Sequence, residues 1–200
     1  MSIGSIHNIQ SSWNGFLVDA ELAKHYQMAN MLAAGGHLPA PNPILEALLP
    51  SLLYVRLGAL VDDALEQFIS MKGLVMPGKY RTDFNGRITF LDDQGYLKDA
   101  NKIHNLRKRR NELAHEASRS CSWVDLDEAT NVIDAELQHL ELSGPRPAYE
   151  FYAERQPREQ AEPGYLMSMD YSYGLKVGGH IVAEVRWTKN LSGPSTGQSQ

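Results

Sequence analysis

Along most of the chain, apolar residues recur every three to four positions, and beyond Pro147 they recur every second one. The first spacing is that of a helix with one buried face, the second that of a half-buried strand. Asp19 is placed to cap a first helix with Glu21 in its opening turn, and Leu22, Tyr26, Ala29 and Ala33 share a face until Gly35-Gly36 stops it. His37 to Pro43 reads as a proline-rich connector. Asn42 as cap and Pro43 at the first helical position then open the strongest helix, which runs to about Lys72. Leu53, Leu57, Leu60, Ala64 and Phe68 form its stripe and Gly73 its exit, while Pro50 is expected to kink it or mark its true start. A loop at Val75 to Thr82 holds Pro77-Gly78. A short helix at Thr82 to Asp92 follows, with Phe84, Ile88 and Leu91 at helical spacing, and Asp93-Gln94-Gly95 turns the chain.

The next helix, Asp99 to about Ala117, carries Ile103, Leu106, Leu113 and Ala117 on one stripe, with Arg110 in the middle of it. A further helix from Asp125 to Leu142 aligns Leu126, Ala129, Ile133, Leu137 and Leu140 and ends before Gly144-Pro145. Short connections imply that these helices form an antiparallel bundle. After Pro147, Tyr149, Phe151 and Ala153 alternate with Glu150, Tyr152 and Glu154, and Ile181, Ala183, Val185 and Trp187 alternate with Val182, Glu184 and Arg186. Both read as strands. Tyr165 to Tyr173 is a weaker strand candidate, and Val177-Gly178-Gly179-His180 suits a hairpin turn. The expected fold is therefore mainly α, an antiparallel helical bundle with a small C-terminal β-ribbon. Its divisions are a one-helix segment at 1–40, the helical domain at 41–144, the β segment at 145–190 and a Ser, Gly and Gln-rich tail at 191–200, expected to stay disordered.

Charge and composition narrow the function. A formal charge of -5 and a pI near 5.8 exclude a protein that coats nucleic acid by bulk electrostatics, so any phosphate contact must be local. Cys121 is the single cysteine, which rules out an intrachain disulfide framework and fits a reducing compartment. Met1 to Ser12 shows neither a basic leader nor an apolar run suited to export, and the cytoplasm is the expected location. Ile44 to Val61 approaches membrane-spanning length, yet Glu46, Pro50 and Arg56 interrupt it, so it is read as a core helix with no membrane partner.

The chemistry gathers in the run Ile103-His104-Asn105-Leu106-Arg107-Lys108-Arg109-Arg110-Asn111-Glu112-Leu113-Ala114-His115-Glu116. On a helix Arg107, Asn111, His104 and His115 fall within a strip of roughly 80°, bordering the apolar stripe that holds Arg110. A solvated basic patch with a surface histidine is the plainer interpretation. Arg110 resists it, because a guanidinium on a buried seam is costly unless it is paired or faces a groove.

Arg110-Asn111, three intervening residues and His115, late in a helix, resemble the motif of HEPN domains, short helical modules in which Arg, a polar residue, a spacer and His close a helix. The flanking layout is similar too: a long preceding helix, a short helix with a turn over Phe84 to Leu97, and a closing helix at Asp125 to Leu142. The resemblance covers Pro41 to Gly144. It implies metal-independent RNA cleavage without a cofactor, by homodimers whose motif helices face each other. In that scheme His115 moves the proton of a ribose 2′-hydroxyl or protonates the leaving oxygen, since imidazole titrates near neutral pH. Arg110 clamps the scissile phosphate, and Asn111 orients the ring or the phosphate. His104, Arg107, Lys108 and Arg109 then supply contacts to single-stranded or structured RNA. A toxin or defence effector held in check by an antitoxin or another regulatory protein is the implied biological setting. Toxins paired with a nucleotidyltransferase carry a modifiable Tyr two residues after the His; Ala117 stands there, so that silencing mode is not expected.

Two rivals remain open at this stage: a non-catalytic HEPN-like module that binds RNA, nucleotide or protein, and a structural helical oligomer. Gly78-Lys79 lacks the surrounding pattern of a phosphate loop, Asp62-Asp63 reads as a solvated acidic edge, and the seven histidines show no metal-ligand spacing. Tyr149, Tyr152, Tyr165, Tyr171, Tyr173 and Trp187 could stack RNA bases, though packing is the commoner use of such residues.

Overall fold

The computed structural model describes residues 3–26, 43–116, 118–158, 160, 162–163 and 165–191. Among them the chain is mainly α, with a three-stranded antiparallel sheet at its C-terminal end. The elements are α1 (Ile3–Lys24), α2 (Pro43–Met71), α3 (Phe84–Asp93), α4 (Ala100–His115), α5 (Trp123–His139), β1 (Glu150–Pro157), β2 (Met167–Val177) and β3 (His180–Leu191). They divide into two compact units, Met1–Ala20 with Asn42–Arg146, and Glu21–Pro41 with Pro147–Gln200.

The helical unit begins earlier than its caps suggest. Asp19 lies inside α1 and caps nothing; its carboxylate pairs with Arg56 of α2 at 2.6 Å. Ile9, Trp13, Phe16, Leu17 and Ala20 recur at helical spacing and are buried. Trp13 Nε1 donates to Asp134 Oδ1 of α5 at 2.9 Å, giving a buried carboxylate a partner. Ala29, Ala33, Gly35-Gly36, the 37–42 connector with its Asn42 cap, and the tail beyond Leu191 lie outside the described residues.

By length and composition α2 is long and apolar enough to cross a membrane. Its buried face, with Tyr54, Leu57, Val61, Leu65 and Phe68, packs against α3, α4 and α5. The helix runs through Pro50 unbroken, and one residue later Ser51 Oγ donates to the Ala47 carbonyl at 2.9 Å. Ile44, Leu48 and Leu52, one turn apart, are exposed on its N-terminal part.

Side-chain caps set the other helix starts. Asp83 accepts from Gly86 N, Asp99 from Lys102 N, and Ser122 forms a capping box with Asp125. Thr82 and Asp125 are therefore not the boundaries; α3 starts after Asp83 and α5 after Ser122. At the far end α5 stops at His139, short of Leu142, because Glu141 adopts φ 59° and Leu142 N returns to the Leu137 carbonyl at 2.8 Å. That left-handed position usually falls to glycine. Arg87 of α3 reaches both Asp62 (2.7 Å) and Glu66 (2.6 Å) of α2, fixing the short helix on the long one.

In the sheet, β2 lies between β1 and β3, and Gly178 (φ 55°) and Gly179 (φ 80°) make the tight turn between β2 and β3. The weaker strand candidate thus becomes the central strand, shifted to Met167–Val177. Met169, Tyr171 and Leu175 are buried on one face, where Tyr171 and Trp187 stack at 5.3 Å and Tyr173 meets Trp187 edge-on. On the other face Tyr152 lies across Gly174, where an added Cβ would come within 2.9 Å of the ring and 2.1 Å of the Ala183 carbonyl oxygen. The Tyr152 hydroxyl donates to Glu184 Oε1 at 2.7 Å, and Lys176 Nζ sits over the ring.

Candidate active site

The candidate site is built on α4, which docks its Ala100, Ile103 and Leu106 side chains into the helical unit. Arg110 continues that inward face one turn later and is half-buried. Its aliphatic stem lies directly over Gly58 of α2: a Cβ at Gly58 would stand 2.7 Å from Arg110 Cγ, 3.1 Å from its Cβ and 3.4 Å from its Cδ. A glycine inside a long helix costs about 1 kcal/mol relative to alanine, so its presence marks a place where another group must come close. Beyond the stem, Arg110 Nη1 donates to Asn111 Oδ1 at 3.1 Å. Arg110 Nε is buried without a hydrogen-bond partner among the described residues, and so is Arg107 Nε.

Arg107 and Arg110 lack carboxylate partners, as Arg146, bonded to Asn131, also does among the described residues. Arg56, Arg87, Arg109, Arg119, Arg158 and Arg186 each hold a carboxylate. Among the described residues none pairs with Arg107, Lys108 or Arg110. Asp62, one turn beyond Gly58, feels Arg110 only weakly; burial raises its pKa, and Arg87 is the cation that opposes this most. Asp62 is thus tied to α3 rather than to the basic run.

His104 is half-buried, and its pKa is lowered first by burial and then by Arg107 and Lys108, with Asp92 opposing. Its imidazole is held toward the neutral form, which accepts a hydrogen bond but adds no charge. His115 is the last residue of α4 and is exposed. Glu116 closes the helix there, its N–H returning to the Glu112 carbonyl at 2.8 Å. Arg110 and Asn111 are therefore brought into direct contact, Arg107 and His104 lie beside them on the same helix, and His115 stands at the helix end open to solvent.

Arg109 points elsewhere. It pairs with Glu112 at 3.0 Å and donates from Nη2 to the Ser120 carbonyl at 2.6 Å, tethering the segment that follows His115. Cys121 N, in the same segment, donates to Ser51 Oγ at 3.0 Å. Beside Arg109 a groove of about 310 Å³ runs between α4 and α5 over Tyr54, Leu106 and Ala129. Burial pushes the Tyr54 phenol up to about 12 and the Cys121 thiol up to about 11, with Arg109 pulling both the other way. Tyr171, Tyr173 and Trp187 pack on one another in the sheet. Among the described residues no group of three or more His, Cys, Asp or Glu side chains is placed to hold a metal ion.

Sequence reasoning found the motif residues but not Gly58, Ser51 or the Arg109 tether. Gly58 did leave a trace, as a helix-weakening residue in the middle of the most apolar helical pattern of the chain. Comparison of the chain with protein-family models, with curated proteins and with solved structures gives no match.

Proposed function

We propose that this protein is a cytoplasmic, metal-independent endoribonuclease of the HEPN type, with α2 to α5 as its antiparallel helical bundle. The observation that carries the reading is Arg110: a guanidinium seated over Gly58, bonded to Asn111, paired with no carboxylate among the described residues, on the helix that ends in His115. In a chain of charge -5, Arg107 and Arg110, on adjoining faces of one helix and paired with no carboxylate among the described residues, would supply the local phosphate contact that bulk charge does not.

The chemistry is a transesterification. The ribose 2′-oxygen forms a bond to phosphorus while the bond from phosphorus to the 5′-oxygen breaks. The 2′-hydroxyl proton passes to an imidazole, His115, and the leaving 5′-oxygen takes a proton from imidazolium or water. Arg110 neutralises the charge that develops on the non-bridging oxygens, and Asn111 holds the guanidinium in its plane. A homodimer that brings two α4 helices together would set a His115 from each chain against the shared substrate. A toxin or defence role under an antitoxin or other regulatory protein fits such an activity.

The test is cleavage of single-stranded RNA by purified protein in the presence of EDTA. The expected products carry a 2′,3′-cyclic phosphate and a 5′-hydroxyl, and DNA survives because it lacks the attacking group. His115→Ala and Arg110→Ala each lower the rate about 10²- to 10⁴-fold while the proteins stay folded. Equal rates in wild type and both variants, or cleavage abolished by EDTA, overturn the reading. Phosphate binding without cleavage is favoured by one observation: His115 is exposed, and no hydrogen bond from a described residue fixes its ring. RNA binding that Arg107→Ala and Arg110→Ala weaken, with no product formed, would establish that alternative.

A further inference from the structure

We infer that Gly58 is a positioning residue of the ribonuclease site, acting through Arg110; the inference rests on the reading above. Three atoms of the Arg110 stem crowd the place where any other residue would put a Cβ, the closest at 2.7 Å. The contact belongs to the stem, because Cγ and Cδ are both involved, and it therefore governs where the side chain can run. With the stem flat on α2, Arg110 Nε is buried and Nη1 reaches Asn111. The near Nη group and the plane of the guanidinium are thereby set before any phosphate arrives. A methyl group at position 58 would lift the stem away from α2, swing the guanidinium out, and break its bond to Asn111. Other parts of α4 need not move, since Ala100, Ile103 and Leu106 anchor it further back. Gly58 thus supplies preorganisation: Arg110 meets the phosphate in one geometry with its rotamer freedom already spent.

The experiment is a cycle of wild type, Gly58→Ala, Arg110→Ala and the double variant, read by thermal melting and by single-turnover cleavage of RNA. In melting, Gly58→Ala is expected to lower the midpoint of the wild type. In the Arg110→Ala background the loss should be clearly smaller, because Cγ and Cδ are gone, only the 3.1 Å contact with the residue 110 Cβ remains, and alanine suits a helix better than glycine. If Gly58→Ala does not fold, a double variant that folds supports the inference, and a double variant that also fails overturns it. In cleavage, Gly58→Ala is expected to lose about 10²-fold in rate at saturating RNA with half-saturation changed far less, and the double variant to be no slower than Arg110→Ala alone. A general structural defect would instead slow both backgrounds by the same factor. A folded Gly58→Ala protein that cuts as fast as an active wild type overturns the inference and leaves the ribonuclease reading standing. A wild type that leaves RNA intact overturns that reading and the catalytic use of the contact, while the melting cycle still decides whether Gly58 sets Arg110.

Discussion

Replacing Trp13 by Phe probes the junction of α1 with α5. The indole is 2% exposed and the Asp134 carboxylate it binds 8%, so water cannot replace the lost donor. A hydrogen bond to a charged acceptor contributes about 1.5–3 kcal/mol, and the smaller ring leaves unfilled volume worth about 1 kcal/mol more. Together these give a loss of about 2.5–4 kcal/mol, which in a chain of this size lowers the melting midpoint by about 5–15 °C. Asp134→Asn keeps an acceptor but removes its charge, and is expected to cost about half of the hydrogen-bond share. In the wild type Gln138 Nε2 donates to the other Asp134 oxygen at 2.9 Å; the asparagine NH2 that takes its place cannot accept, so the loss of this half-exposed bond adds to that cost. Melting followed by circular dichroism for wild type, both single variants and the double variant yields the coupling between the two side chains. A Trp13→Phe protein that melts within about one degree of wild type, or single effects that simply add, refutes the buried bond.

Alkaline pH should destabilise the protein: burial raises Tyr54 to about 12 and Cys121 to about 11, so the native state keeps protons that the unfolded chain releases. The stabilisation is full below the unfolded thiol value of 9.0 and is lost as pH rises through 11, and Cys121→Ser should flatten that slope in melts across the range. His104 acts in the opposite direction: its lowered pKa means stability falls as pH drops below 6.5, an effect that His104→Gln removes and that imidazole chemical shifts track directly. Gly86→Ala would put a methyl 1.8 Å from the Arg81 carbonyl oxygen, and a loss of about 3 kcal/mol in denaturant unfolding is expected; a neutral result would refute the contact. Arg109→Ala should speed amide exchange between Glu116 and Cys121 by releasing the Ser120 carbonyl, whereas Lys108→Ala, without an ion-pair partner among the described residues, should shift stability by no more than about 0.5 kcal/mol.

Elements with local start signals were legible from sequence: Pro43 opens α2, Asp99 caps α4, and Gly178-Gly179 turns β2 into β3. The first helix was not, because Gly4, Ser5, Asn8, Ser11, Ser12, Asn14 and Gly15 are poor helix formers and Asp19 imitates a cap. Its true signal was the spacing of Ile9, Trp13, Phe16, Leu17 and Ala20, whose burial outweighs that weak propensity. The end of α5 was missed for a different reason: Glu141 occupies a left-handed position that composition assigns to Gly144. The motif side chains were legible because they share one helix. The groups that hold them, Gly58 and the Ser120 carbonyl, come from elsewhere in the chain, and only packing reveals them.

The sheet order leaves the outer edge of β3 without a strand partner among the described residues, and Ile181, Val182 and Val185 are exposed along it. Such an edge is a template on which another molecule can extend the ladder, so its sequence governs colloidal behaviour as well as folding. Glu184 and Arg186, paired to each other on that strand, interrupt the apolar run and act as gatekeepers. Exchanging both for apolar residues would cost the Tyr152 hydroxyl its acceptor, and beyond that loss it would lower the concentration at which molecules begin to add edge to edge into insoluble ribbons.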